Sequence, residues 1–293
     1  MTVLVIGATG KTGRPVVDAL VARGIDVRAA SRNPAAASEG VVPVRFDWGD
    51  RATWGPALAG VDGLYLVGPF AEPDGTTLLR DLLAAAADVR RVVLMSVLGA
   101  DVLGAATMMA GWEADLRASD KEWTILRPNW FQQNFAGVWA DSLRNHAGIE
   151  VPAGDGSLAF VDTRDIGDVA AVVLAEPGHA GRVYDLTGPE ALTLDRALAI
   201  LSDAGGREFR YVPQSADTFA AGRRAAGAAE STITWYLALY ALIRDGGNAV
   251  VTDTIERLTG HPARTLGAYA AEHAAVWRES ARAPEQHVVP DPH

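Results

Sequence analysis

Through the first half of the 293-residue chain, short β-branched runs alternate with alanine- and leucine-rich helical stretches. A glycine-rich loop follows the first run directly, and the rhythm changes after about Asn129. These three observations predict an α/β protein, a Rossmann doubly wound parallel sheet with a smaller, mainly helical second lobe. Strands are expected over residues 3–6, 27–30, 42–46, 63–67, 91–96 and 123–127. Several are apolar on both faces, as a parallel sheet covered by helices on both sides requires. Between them, residues 13–23, 51–59, 76–87 and 107–119 read as helices of ordinary length.

Beyond Asn129 helical stretches lengthen and strands become sparse, with Pro152-Ala153-Gly154-Asp155-Gly156 marking a turn. A strand at 183–186 and a helix at 165–174 return to the sheet. The sheet domain is therefore expected over 1–129 with returning segments near 157–188, an interleaved substrate lobe over 130–282, and a frayed, proline-rich tail over 283–293.

Composition excludes several function classes. No stretch reaches eighteen uninterrupted apolar residues, and the opening Met-Thr-Val-Leu-Val-Ile-Gly is too short for a signal peptide, so no membrane span and a cytoplasmic location are expected. The absence of cysteine excludes disulfides, thiolate catalysis and cysteine-ligated metals. A net charge of −10, with Lys11 and Lys121 the only lysines, argues against nucleic acid as a partner. The histidines His146, His179, His261, His273, His287 and His293 show no helical metal-ligand pair, and no metal is expected.

The loop Gly7-Ala8-Thr9-Gly10-Lys11-Thr12-Gly13 runs from the first strand into the first helix. In that context Gly7 allows a tight turn, Gly10 lets the backbone approach a diphosphate, and Gly13 permits close packing of helix on strand. Free N–H groups and the positive helix end would hold the anion. The spacing is not that of a Walker loop, which disfavours ATP. The loop is expected to bind a nicotinamide dinucleotide.

The second strand ends in Ala30-Ser31-Arg32-Asn33-Pro34, where NAD-preferring proteins place an acidic residue. Arg32, with Ser31 as a second donor, suits a ribose 2′-phosphate and therefore NADP(H), unless Arg32 is only a solvated loop charge. Asp47 and Trp48 would lie beside adenine, although Asp47 could equally cap the helix starting near Arg51.

With these residues in place the chain, to about Trp277, resembles the NmrA-like branch of atypical short-chain dehydrogenases/reductases. The resemblance rests on Gly7 to Gly13, Leu66-Val67-Gly68-Pro69, Ser96, Leu116-Arg117-Ala118-Ser119, Trp123-Thr124-Ile125-Leu126-Arg127-Pro128-Asn129, Val161-Asp162-Thr163-Arg164-Asp165 and Tyr184-Asp185-Leu186-Thr187-Gly188-Pro189-Glu190 in that order. Trp130-Phe131-Gln132-Gln133-Asn134-Phe135 and Thr254-Ile255-Glu256-Arg257-Leu258-Thr259-Gly260 are similar to members that reduce quinones or an ergot-alkaloid iminium. The resemblance implies that Val67, Gly68 and Pro69 line the cofactor, that Ser96 sits beside the nicotinamide, and that Pro128, Asn129 and Phe131 close the far side. Gly68-Pro69 as a mere turn and Phe131 as core remain alternatives.

The Tyr-x-x-x-Lys motif of ordinary members cannot exist here, because the residues four before Lys11 and Lys121 are Gly7 and Arg117. By alignment on Glu113-Ala114-Asp115-Leu116-Arg117, Met109 takes the family's usual histidine position and Glu113 the lysine position. Methionine donates no proton, so the acid must be another group, water, or a substrate already cationic. Ser96, Glu113 and Asn129 are the catalytic candidates, with a solvated helix residue the alternative for Glu113. Met109, Trp112, Asn134, Trp235 and Tyr236 are candidate pocket residues; the aromatic face of 231–244 would roof the pocket, fill core or pack a homodimer. The expected function is NADPH-dependent reduction of a polarised double bond in a small apolar molecule. A redox sensor without turnover, and a non-redox isomerase, dehydratase or cyclase, are the alternatives.

Overall fold

The computed structural model describes residues 1–278 except Ala35, Ala71, Pro73, Ala105 and Ala106, so the expected tail lies outside the described residues. The strands are β1 (Thr2–Ile6), β2 (Asp26–Ser31), β3 (Val41–Arg45), β4 (Gly63–Val67), β5 (Arg91–Met95), β6 (Glu122–Pro128), β7 (Gly148–Val151), β8 (Ser157–Leu158), β9 (Arg182–Leu186), β10 (Leu192–Thr193) and β11 (Arg210–Pro213). The helices are α1 (Gly13–Ala22), α2 (Trp54–Leu58), α3 (Gly75–Ala85), α4 (Ala100–Leu103), α5 (Met108–Arg117), α6 (Ala140–His146), α7 (Thr163–Ala175), α8 (Leu194–Gly205), α9 (Ala216–Ala225), α10 (Glu230–Arg244), α11 (Thr254–Thr259) and α12 (Leu266–Arg278).

Seven strands form one sheet in the order β3-β2-β1-β4-β5-β6-β9, every neighbouring pair parallel. The winding reverses between β1 and β4, which opens a crevice at the strands' carboxyl ends. Alternate residues of each central strand feed opposite cores. Val3 and Val5 pack with Val16, Leu20, Val169 and Val173 of α1 and α7. Leu4 and Ile6 pack with Leu79, Leu82, Trp112 and Leu116 of α3 and α5.

A third core, with Phe135, Trp139, Phe160, Leu198, Tyr240 and Trp277, belongs to the second lobe. Helix α10 serves two cores: Tyr240 and Ile243 lie in this one, while Trp235 packs against the sheet-side cluster that holds Trp112. Strand β9, from the second half of the chain, joins this sheet beside β6.

Two details differ from expectation. Residues 51–59 form a 3-10 turn over Arg51–Thr53 before α2, because Pro56 has no N–H to continue a regular helix backwards. The second lobe also contains short strands, β8 paired with β10 and β7 with β11. Runs of two to four residues carry too little periodicity to read from sequence. Among the described residues no helix is long and apolar enough to cross a membrane.

Candidate functional site at the carboxyl ends of the strands

The glycine loop is built by close approach of the backbone to itself. Gly7 has φ of +76°, and the Gly10 N–H donates to the Gly7 carbonyl over 2.8 Å. A Cβ at Gly13 would stand 2.1 Å from the Gly7 oxygen, so no side chain fits where α1 begins. Thr9, Gly10 and Lys11 are exposed, Thr12 makes no side-chain cap, and the backbone N–H groups of Lys11 and Thr12 make no hydrogen bond among the described residues. That is a cradle of free donors at a helix N-terminus, and it fits a dinucleotide diphosphate.

The Lys11 ammonium donates to the Asn134 amide oxygen over 3.0 Å, tying the loop to the second lobe. Burial holds its pKa below the ordinary lysine value. The sequence placed Lys11 and Asn134 in different subsites; the fold makes them partners.

At the ends of β2 and β3, Ser31 is half-buried and Arg32 exposed. Asp47 accepts the Gly49 N–H over 3.1 Å, while Asp50 caps the turn at Arg51, so the capping alternative falls on Asp50. Trp48 is held edge-on by Phe46 at 5.2 Å and Trp54 at 5.9 Å, half of it left open.

Under the middle of the crevice, Val67 packs beneath Gly7, with 3.5 Å from its Cβ to an ideal Cβ there. Gly68 is set by packing as well as by turn: a Cβ would lie 2.3 Å from the Trp112 ring. Trp112 is fully buried and donates to the Gly75 carbonyl over 3.2 Å, which corrects its reading as pocket wall, since its ring is the floor supporting Gly68-Pro69. Met109 is 6% exposed and belongs to the same core.

Ser96, just past β5, donates its hydroxyl to Glu113 over 2.6 Å. Glu113 is buried and accepts Arg127 in a fork, 2.9 Å to Oε1 and 2.7 Å to Oε2, plus Arg117 at 2.9 Å. The solvated-helix alternative for Glu113 therefore fails. Arg127 also meets Asp101 at 3.2 Å, and the hydrogen bonds to Glu113 hold its guanidinium firmly protonated. In the strand beside it, Asp185 stands in register with Arg127; burial pushes its carboxyl pKa up, and Oδ1 has no partner. The charged interior residue Arg127, set between Leu126 and Pro128 in an apolar strand, was the signal for this network that sequence reasoning passed over.

Pro128 ends β6 and accepts the Leu98 N–H over 3.0 Å. The Asn129 side chain is spent on the second lobe, donating to the Asn248 carbonyl over 2.8 Å and accepting from Asn248 Nδ2 over 2.9 Å and the Trp130 N–H over 2.8 Å. Phe131 bridges to Val161 and packs against the α1–α7 core, in line with its core alternative. Trp235 and Tyr236 are both half-buried, on different faces of α10. Elsewhere, Asp165, Asp168 and His261 could group around a cation, but Arg264 pairs with both carboxylates and occupies the position between them.

Comparison with known proteins agrees with this geometry. A family model described as NAD(P)H-binding matches residues 7–177. The chain is 33% identical over 285 residues to the NAD(P)H azoreductase of Xenophilus azovorans, covering 94% of this chain and 99% of the relative. It is 35% identical over 286 residues to the (4-alkanoyl-5-oxo-2,5-dihydrofuran-3-yl)methyl phosphate reductase of Streptomyces griseus, covering 94% and 99%. The NADPH-dependent quinone oxidoreductase of Escherichia coli, solved with NADPH, superposes with a TM-score of 0.80 at 30% identity, covering 93% of this chain and 99% of that one. On the cradle, the sheet order and these likenesses, the chain belongs to the NAD(P)H-binding family of this model, NmrA-like in fold, together with NAD(P)H-dependent reductases.

Proposed function

We propose that the protein uses NADPH to reduce a polarised double bond in a flat, conjugated small molecule of the quinone, azo, iminium or enone type, without a tyrosine acid. The observation that carries this reading is the Ser96–Glu113–Arg127 network at the strand ends, where the hydroxyl proton of Ser96 is already donated to a carboxylate. Bound NADPH supplies the hydride. Ser96 then offers only lone pairs, so it orients by accepting a hydrogen bond and does not protonate. Glu113, with both oxygens filled, positions Ser96 and Arg127. Met109 fills the neighbouring helix position with a side chain that donates nothing.

Acceptors whose reduced form is a stabilised anion or a neutral amine suit such a site, because water can deliver the proton after the hydride has moved. The names of two relatives, an azoreductase and a quinone oxidoreductase, describe acceptors of this kind. Thr9, Gly10, Lys11, Thr12 and Gly13 would hold the diphosphate, Ser31 and Arg32 the 2′-phosphate, and Asp47 and Trp48 the adenine. Val67, Gly68 and Pro69 would carry the nicotinamide side. Asn129 acts as a positioning residue at the lobe boundary. The test is NADPH oxidation against quinone, azo and iminium panels alongside cofactor titration. Turnover of at least one class supports the reading; tight binding of NADPH and NADP+ with no turnover on any acceptor would replace it with a redox sensor.

A further inference from the structure

One cation of the second lobe differs from its neighbours in what faces it. Arg223, in the last turn of α9, is half-buried, with its guanidinium carbon 5.1 Å from the Phe219 ring centre and 5.8 Å from that of Tyr236. Among the described residues its guanidinium makes no ion pair and no hydrogen bond. The adjacent Arg224 is exposed and already paired, with Glu230 at 2.9 Å. Five guanidinium donors thus lie beside two rings with no acceptor to take them.

The rings continue from Arg223 back to the sheet. Phe219 packs edge-on against Tyr240 at 5.3 Å, and Tyr236 stacks on Tyr240 at 6.4 Å. Tyr240 meets Trp130 at 5.3 Å, and Trp130, whose ring also stacks on Trp139 at 5.7 Å, follows Asn129 directly beyond the carboxyl end of β6. Trp130 and Tyr236 are half-buried, so this wall keeps open surface at both ends. Apolar rings beside a cation exclude water from part of its surroundings and strengthen its attraction for an anion.

We propose that Arg223 is a specificity residue that recognises an oxyanion substituent, such as a sulfonate or carboxylate, on a flat acceptor lying against the open side of Tyr236 and the open edge of Trp130. The inference rests on the reductase reading for its substrate but on Arg223 alone for its anion. In NADPH oxidation with naphthoquinone and naphthoquinone sulfonate, the effect of each substitution is taken as the ratio of variant to wild type, which removes the acceptors' intrinsic difference in reactivity.

Arg223→Gln should lower kcat/KM for the sulfonate about tenfold and for the parent quinone less than twofold, the size expected for one charge-assisted contact. Arg223→Lys should recover part of the loss, and added salt should erode the wild-type preference. Equal losses on both acceptors, or no loss on the sulfonate, overturn the proposal. If neither quinone turns over, the reductase reading fails separately, and quenching of tryptophan fluorescence by naphthalene sulfonate in the NADPH complex decides the anion site. Binding about tenfold weaker in Arg223→Gln than in wild type supports it; an unchanged constant overturns it.

Discussion

Asn129 and Asn248, 119 residues apart in the chain, lock together as a buried reciprocal pair, each amide nitrogen donating to the other residue. The pair joins the end of β6 to the loop after α10. Asn129→Ala strips the Trp130 N–H and the Asn248 amide of their partners, and buried groups left unpaired cost roughly 1–3 kcal/mol each. Urea unfolding should therefore register a loss of about 2–3 kcal/mol. An unchanged midpoint would show that water replaces the pair freely.

The Glu113–Arg127 fork yields a contrast between single and double substitution. Arg127→Met leaves a buried carboxylate short of its main partner, at a cost of about 3–5 kcal/mol, whereas Arg127→Met with Glu113→Leu removes the uncompensated charge and should recover much of that. Thermal melts of the three proteins test this. A double variant no more stable than the single would mean that the two charges are not coupled.

Arg32 is exposed at the end of β2, where a ribose 2′-phosphate would lie. Arg32→Ala is expected to weaken NADPH roughly tenfold, the lower end for a charge-assisted contact because solvent screens the site. NADH should change far less. Titration of both cofactors at one ionic strength gives the answer, and equal losses would sink the assignment.

Lys11 gives the cofactor site a pH dependence of definite sign. Burial disfavours the ammonium and holds its pKa below 10.5, so the charge is lost at a lower pH than for a free lysine. NADPH affinity should therefore be full at neutral pH and fall as pH rises through that depressed value. Lys11→Arg keeps its charge throughout and should flatten the alkaline limb. An alkaline limb that persists unchanged in Lys11→Arg would assign it to another group.

Burial raises the pKa of Tyr65, Tyr240 and Tyr269 above the ordinary value and keeps their hydroxyls protonated at neutral pH. No lysine stands four residues after any tyrosine. Replacing any one of Tyr65, Tyr184, Tyr211, Tyr236, Tyr240 or Tyr269 by Phe should leave kcat within a fewfold of wild type, while Glu113→Gln, which loosens Ser96 and Arg127 together, should reduce it more. Loss of turnover in one tyrosine variant with binding intact would identify that residue as the missing acid.

The sheet was legible because most of its strands are short apolar runs and the glycine loop sits at a strand-to-helix junction. Those are local signals, and β1 to β6 fall within one or two residues of expectation. The links that organise the site are not local. Lys11 meets Asn134 across 123 residues and Asn129 meets Asn248 across 119, and neither partner's spacing encodes the other. Trp112 is a candidate pocket residue in the sequence; only the packing against Gly68 reveals a floor. The Ser96–Glu113–Arg127 network was half-visible, since a buried arginine in an apolar strand demands a carboxylate.

One of the two edge strands of the seven, β9, is synthesised long after its neighbour β6, and α10 divides its side chains between two cores. A chain released up to residue 129 would carry β6 as a raw edge, with the apolar surface that Trp235 covers left open to water. The two lobes are thus obliged to fold as one cooperative unit late in translation, with a slow search for distant contacts, and nascent chains arrested earlier are candidates for chaperone capture.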